Sequence, residues 1–320
     1  MQDIEKMTRR CPACGEVRAS VVAASDPPAE GLLPHQLVRQ WAGLRRNKAF
    51  FSYVRCAACG LVYNPTYFSR RTLAQLYADL EPNMDMVPPH MVAATQRGYF
   101  DTVADKSDLS GGFLEIGPDI GYMVGEAARR GNFERYWLYE PNLAVHDQLR
   151  EAAGGKPAII TDEMEDLAAV PDGTVGLAVM IHVLDHLIKP AAMVRQIARK
   201  LKPGGVLAIV THNEGSLLRR LLGTRWPPFC LQHPQLFSPR TMRGLLGRAG
   251  FDHVEVRAAA NVFPSDFLLR QAGQAVGLGL ARVSFPAIAL RLRLGNILTL
   301  ARVSAQAAEA IAGTELESAR

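Results

Sequence analysis

The apolar residues change rhythm twice along the chain. Between residues 110 and 211 they come in short runs separated by stretches of helical spacing, which is the pattern of strands alternating with helices. Strands are expected at 113–116, 136–139, 158–161, 176–181 and 206–211. Helices are expected at 121–130, 143–153 and 190–201, the last stopped by Lys202-Pro203-Gly204-Gly205. Such alternation builds βαβ units, and hence a parallel sheet with right-handed crossovers. Beyond Ser216 the rhythm loosens: a helix at 241–249 is followed by strands at 254–258 and 296–303, with an apolar insertion over 263–294 between them. Before residue 110 the pattern gives helices at 35–47, 69–80 and 91–104 and a strand at 50–55. Glu81-Pro82-Asn83 and Pro88-Pro89 read as a linker.

Composition sharpens this picture in two places. With 320 residues, 48% hydrophobic and 21% charged, the chain can bury one sizeable α/β core and a small accessory module. The net charge of +5 is unevenly spread: from Leu217 to Val303 there are twelve arginines, no lysine and three acids (Asp252, Glu255, Asp266), so an anionic partner should meet the C-terminal third. Residues 1–10 carry Asp3, Glu5 and Lys6 without an apolar run, and no stretch of 18 uncharged apolar residues occurs, so neither a secretory signal nor a transmembrane helix is expected. A cytoplasmic location follows as an expectation.

Four of the five cysteines form two C-x-x-C-G knuckles, Cys11/Cys14 and Cys56/Cys59, 41 residues apart. In a reducing compartment that spacing points to a tetrahedral four-thiolate structural zinc site, with the glycine after each second cysteine permitting a left-handed turn. All four positions are filled by protein, so the site offers no open coordination for catalysis.

The second concentration of chemistry follows the strands. The first ends in Glu115-Ile-Gly117-Pro-Asp119-Ile-Gly121, an acid and then a glycine turn opening a helix, where a ligand can approach the backbone at the strand C-termini. Asp119 within the turn would repel a pyrophosphate, so the turn suits a ligand with positive charge. The second strand ends on Glu140, placed to accept the hydroxyls of a ribose. The third runs into Glu163-Met164-Glu165-Asp166, the fourth into His182-Val-Leu-Asp185-His186-Leu187, and Leu201-Lys-Pro-Gly-Gly205 precedes the fifth.

Taken in this order, residues 108–303 resemble a class I S-adenosylmethionine (SAM)-dependent methyltransferase, in the branch acting on small molecules and sugars. His233-Pro-Gln-Leu-Phe237-Ser238 is similar to the same branch, and the Cys59–Pro65 exit resembles zinc-ribbon segments found before such enzymes. The resemblance implies an α/β fold with a Rossmann-like seven-stranded methyltransferase sheet, a small N-terminal zinc-ribbon module and a C-terminal helical insertion. It divides the chain into a zinc-ribbon module (1–80), a linker and helix (81–107), the methyltransferase domain (108–304, with 263–294 as an insertion or lid) and a tail (305–320). It implies that Gly117 and Gly121 flank the methionine end of SAM with Glu115 and Asp119 nearby. Glu140 would hold the ribose, Glu163 and the Met164 backbone would read the adenine, and His182 would line the methionine or acceptor side. Three positions depart from the family pattern: Asp119 stands for a glycine, Gly176 for an aspartate opening strand four, and Asp185 for a glutamate.

An alcohol acceptor needs its proton removed, and His182, His186, His212 and His233 are candidates, with His186 and His233 preferred as catalytic residues and Asp185 placed to orient His186 or, as the lesser alternative, to help hold a divalent ion. The expected function is O-methylation of a sugar or other small metabolite, with the arginine-rich third accommodating a nucleotide-diphosphate or phospholipid carrier. Two alternatives compete. An RNA methyltransferase could dock through Arg39, Arg45, Arg46, Lys48 and Arg55 of the ribbon, although the absence of a base-methylating Asn-Pro-Pro-Tyr-type motif argues against nucleic acid. A non-catalytic scaffold would have lost SAM affinity.

Overall fold

The computed structural model describes residues 4–41, 49–78, 87–276 and 287–304. The expected linker residues Glu81-Pro82-Asn83, the basic residues Arg45, Arg46 and Lys48, and the tail 305–320 lie outside them.

The N-terminal segment holds β1 (Lys6–Thr8), β2 (Ala19–Ala23), α1 (Pro34–Trp41), β3 (Tyr53–Cys56), β4 (Val62–Tyr63), β5 (Thr66–Phe68) and α2 (Arg70–Ala78). The α/β part follows as α3 (Pro89–Ala104), β6 (Ser110–Ile116), α4 (Tyr122–Arg130), β7 (Asn132–Tyr139), α5 (His146–Ala152), β8 (Ala158–Thr161), β9 (Val175–Ile181), α6 (Pro190–Lys200) and β10 (Leu201–His212). Then come α7 (Leu217–Leu222), β11 (Gln235–Leu236), α8 (Pro239–Arg248), β12 (His253–Pro264), α9 (Ser265–Val276) and β13 (Ala289–Arg302).

Seven strands form one sheet in the order β12-β13-β10-β9-β6-β7-β8, parallel from β10 to β8, with β13 antiparallel to both of its neighbours. Successive strand residues feed opposite cores: Leu177 and Val179 pack with α3, α4 and α5, whereas Ala178 and Met180 pack with α6 and α8. A sheet covered on both faces explains why these strands read as unbroken apolar runs. Strand order reverses between β6 and β9, so a crevice opens at their C-terminal ends.

The last two strands run longer than their sequence pattern gives. Past a register shift, Asn261–Pro264 still pair with Leu292–Ala289, so β12 and β13 leave the sheet as a two-stranded ribbon that carries α9. The described part of the 263–294 insertion is therefore this ribbon and one helix.

A four-stranded sheet, β11-β4-β3-β2, joins the N-terminal segment to the stretch that follows α7. Here Tyr63 pairs with Gln235 and Val62 with Leu236. Cys11, Cys56, Leu61 and Tyr63 share a core with Leu184, Phe237 and Met242. The N-terminal segment thus packs as part of the body that carries β9 and α8.

Candidate active site

At the end of β6, Gly117 has φ +67°, and a Cβ there would meet Val183 Cγ2 at 2.5 Å, so this turn requires glycine. Asp119 also lies in the left-handed region, at φ +51°. Aspartate tolerates that conformation better than most residues, so the departure from the usual glycine leaves the turn intact. Gly121 opens α4.

Glu140, at the end of β7, spans the turn: its Oε2 accepts the Asp119 N–H and its Oε1 the Asn142 N–H, both at 2.9 Å. Burial raises its pKa against the pull of those two amides. Beside it the buried Glu115 carboxyl is pushed well above its usual range, first by burial and then by Glu140 and Asp119. Glu115 Oε2 finds no hydrogen-bond partner among the described residues. An unpaired acid sealed among acids is a site prepared for a cationic group. Glu163 is exposed beyond β8, where its Oε1 accepts the Glu165 N–H at 3.2 Å, and Met164 is half-buried against the core. Both stand at the outer edge of the crevice, next to the strand that delivers Glu140.

The four histidines gather at the ends of β9 and β10. His182 has φ +54°, its Nε2 lies 3.4 Å from Asn296 Nδ2, and its buried Nδ1 is unpartnered. Ring centroids of His182 and His212 are 4.6 Å apart, those of His212 and His233 4.8 Å, and those of His233 and His186 4.7 Å. Asp185, fully buried, accepts the His212 Nδ1 hydrogen bond through Oδ2 at 2.8 Å. The expectation that Asp185 orients His186 is thereby corrected. Adjacent residues of the turn diverge: Asp185 turns toward the end of β10, whereas His186 Nδ1 meets Tyr77 OH of α2 at 2.9 Å.

Their electrostatics differ accordingly. Burial and neighbouring imidazoles push His182 and His186 down to about 3. Burial opposes ionisation of Asp185, but the His212 hydrogen bond and the surrounding histidines hold its carboxyl below the usual range. His233 donates from Nδ1 to the Pro228 carbonyl at 2.7 Å, with Cys230 Sγ at 3.2 Å. Burial alone would lower His233, but Cys230 outweighs it and the imidazole is raised to about 9.

The N-terminal segment holds this site together, which no local sequence signal revealed. Tyr53 OH donates to the His233 carbonyl at 2.6 Å and Tyr67 OH to the Leu231 carbonyl at 2.7 Å. Arg9 is half-buried, desolvation lowers its guanidinium to about 10, and it donates to the Asn64, Ile188 and Pro234 carbonyls and to Gln235 Oε1. Gln235 Nε2 in turn donates to the Leu184 and Leu187 carbonyls at 2.9 and 2.7 Å. The loop of His233 and the loop of Asp185 are thus tied to each other and to the segment before Cys11.

The cysteines converge as their spacing suggests: Cys11–Cys59 and Cys14–Cys56 sulfurs are each 3.5 Å apart, and all four lie within 4.8 Å of one another. Four sulfurs about 2.3 Å from a central zinc would stand roughly 3.8 Å apart, so the donor set fits that ion. Gly15 and Gly60 follow the knuckles at φ +77° and +80°. Arg55, one of the ribbon's basic residues, is engaged in a bidentate pair with Glu214 at 2.9 and 3.0 Å.

Comparison with known proteins settles the family. Residues 92–256, just over half of the chain, match the family described as "Methyltransferase domain". The chain belongs to this family. It is a SAM-dependent methyltransferase, an enzyme with a Rossmann-like α/β sheet. Among curated proteins it is 26% identical over 187 residues to a ubiquinone biosynthesis O-methyltransferase of Cupriavidus pinatubonensis, covering 55% of this chain and 74% of that protein. It is 31% identical over 118 residues to one of Xanthomonas oryzae, covering 35% of this chain and 48% of that protein, so against this relative the chain spans about half its length. Among solved structures, a Haloferax volcanii methyltransferase complexed with the Trm112 methyltransferase activator aligns with 16% identity and a TM-score of 0.49, over 67% of this chain and 92% of that one. No helix among the described residues is long and apolar enough to cross a membrane.

Proposed function

We propose that this methyltransferase transfers the methyl group of SAM to a hydroxyl oxygen of a small acceptor, a sugar or related metabolite, seated against the histidine cluster. The observation that carries the reading is the 2.8 Å contact between His212 Nδ1 and Asp185 Oδ2. With Nδ1 donating to the carboxylate, Nε2 of His212 carries no proton, the tautomer a general base needs. His212 is 23% exposed while Asp185 is sealed, so the base opens on the crevice and its orienting group does not. His182 and His186, held neutral at about 3, are too weak for the task. His233, raised to about 9, is charged at neutral pH and suits holding the acceptor in place.

Bound SAM supplies a sulfonium methyl that is already electrophilic. The chain supplies alignment and a place for the proton: as the acceptor oxygen bonds to the methyl carbon and the carbon–sulfur bond breaks, the hydroxyl proton passes to His212 Nε2, and Asp185 stabilises the imidazolium. On the other side of the crevice Glu115 and Asp119 face the cationic methionine end, approached between Gly117 and Gly121. Glu140 takes the ribose hydroxyls, Glu163 and the Met164 backbone take the adenine, and His182 borders the reacting centre. The relatives named as O-methyltransferases favour oxygen as the acceptor atom. Cys11, Cys14, Cys56 and Cys59 hold a structural zinc ion in this reading.

The test follows the methyl label. Incubated with host extract and labelled SAM, the enzyme should label a small soluble or lipid-linked fraction; nuclease-sensitive label would overturn the reading in favour of RNA. With the acceptor purified, His212→Gln should reduce transfer by about 10²–10⁴-fold with S-adenosylhomocysteine affinity unchanged, and unaltered transfer would remove His212 from the role of base.

A further inference from the structure

A groove of about 360 Å³ runs between α7 and β13. At its inner end stands Asn296, the residue that touches His182. At its outer end stand Leu217 and Leu221, 69% and 74% exposed, with Leu294 and Arg293 across from them. The helix α7 reads Leu-Leu-Arg-Arg-Leu-Leu, capped by Ser216 Oγ, which accepts the Arg219 N–H at 3.2 Å. Leu217 and Leu221, four residues apart, project from one side of it into solvent. The facing ribbon reads Ala-Leu-Arg-Leu-Arg-Leu over 289–294, and just before it Ile288 is 61% exposed.

Together α7 and this stretch of β13 carry seven exposed or half-exposed leucines and four arginines, and no acid. Leucines left in water beside uncompensated arginines are the two components of an interfacial surface: apolar side chains that enter the acyl boundary and cations that meet headgroup phosphates. We propose that this face docks on the surface of an anionic phospholipid bilayer, with the mouth of the groove turned toward the lipid. A nucleic acid would use the arginines but leave the leucines in water. A second copy of the chain would cover the leucines but set four arginines against four more with no acid to offset them. The bilayer accounts for both features. That the groove leads to the acceptor rests on the function proposed above; the docking does not.

The full-length protein would be sedimented with vesicles of phosphatidylcholine alone and of equimolar phosphatidylcholine and phosphatidylglycerol, at low and at high salt. The expected result is binding to the anionic vesicles, weakened by salt, with little on the neutral ones. The double variants Leu217→Glu/Leu221→Glu and Arg220→Glu/Arg293→Glu should each lower vesicle affinity by about tenfold or more, with S-adenosylhomocysteine binding retained as the sign of an intact fold. Failure of the wild-type protein to bind anionic vesicles overturns the proposal, as does binding that all four substitutions leave unchanged. Retention on RNA in place of vesicles would reassign the face to nucleic acid. A dimer in sedimentation velocity that Leu217→Glu dissociates would reassign it to self-association. Vesicle binding is read without methyl transfer, so its failure and that of the proposed acceptor chemistry are separable.

Discussion

The Tyr53 hydroxyl donates to the carbonyl oxygen of His233 at 2.6 Å, across 180 positions of sequence. The tyrosine is wholly buried, its ring packed at 4.9 Å from that of Phe229, and the same hydroxyl lies 3.1 Å from the Cys230 carbonyl. A group from the cysteine-bearing segment therefore fixes the backbone on which the His233 imidazole is mounted. Tyr53→Phe keeps the ring and removes the donor, leaving two carbonyls without it. The variant is expected to lose about 1–3 kcal/mol in denaturant unfolding. The acceptor KM should rise while S-adenosylhomocysteine affinity stays the same, because Glu115 and Glu140 lie on strands that Tyr53 does not touch.

Metal removal should propagate along the same path. Cys59→Ser, or chelation of the wild type, is expected to release one zinc ion per chain, measured by elemental analysis, and to suppress methyl transfer although none of the four knuckle cysteines belongs to the histidine cluster. The route is β4, which follows the second knuckle and pairs with β11 next to His233. Zinc content that does not change on Cys59→Ser would exclude the four-cysteine site.

Glu140→Ala deletes the acceptor of the Asp119 and Asn142 amides. Cofactor affinity is expected to fall by about tenfold, the loss of roughly one charge-assisted hydrogen bond. Calorimetric titration with S-adenosylhomocysteine reads this directly, and an unchanged dissociation constant would take Glu140 out of the ribose role.

Glu115 gives a pH signature. Its pKa is raised in the free protein, so the protonated form prevails to higher pH than for an ordinary carboxyl, whose value is 4.5. A cation arriving beside it favours the ionised form. Binding of SAM should therefore release protons, and affinity should increase as pH rises through the raised pKa. Titration calorimetry in buffers of different ionisation enthalpy measures the release, and Glu115→Gln should abolish it.

Acid stability follows from His182 and His186. Both are held neutral by desolvation and neighbouring imidazoles, with pKa about 3 against 6.5 in the unfolded chain. Because the folded values are depressed, the unfolded state takes up these protons first. Their contribution to stability is full above pH 6.5 and is lost progressively as pH falls toward 3. His186→Gln should flatten that decline in thermal melts between pH 6.5 and 4.5, and an unaltered slope would show that His186 is not held neutral.

Much of the α/β part was legible because burial on both faces of a parallel sheet imposes apolar runs that local sequence displays. The turn at Gly117 was legible for a similar reason, since the backbone conformation and the Val183 contact leave glycine as the residue that fits. The pairing of Asp185 was not. Neighbouring residues in a turn point apart, and which imidazole each meets depends on where β10 ends and where α2 packs. Arg9, Tyr53 and Tyr67 escaped notice because their partners lie 55 to 226 positions away, and a half-buried arginine bonded to carbonyls leaves no charge pattern in the sequence. The extra length of β12 and β13 has the same origin: each strand is held past the sheet edge by the other, and neither shows this alone.

The pairing of β4 with β11 also sets an order of assembly. Tyr63 and Gln235 are 172 positions apart, so the cysteine segment leaves the ribosome long before its edge strand has a partner. The knuckles close locally and early, while β4 waits with one side open until the chain has been made past residue 236. The cysteine segment, made well before residue 235, is thus among the last to be completed, and the loop of His233 reaches its final form only when β4 and β11 meet.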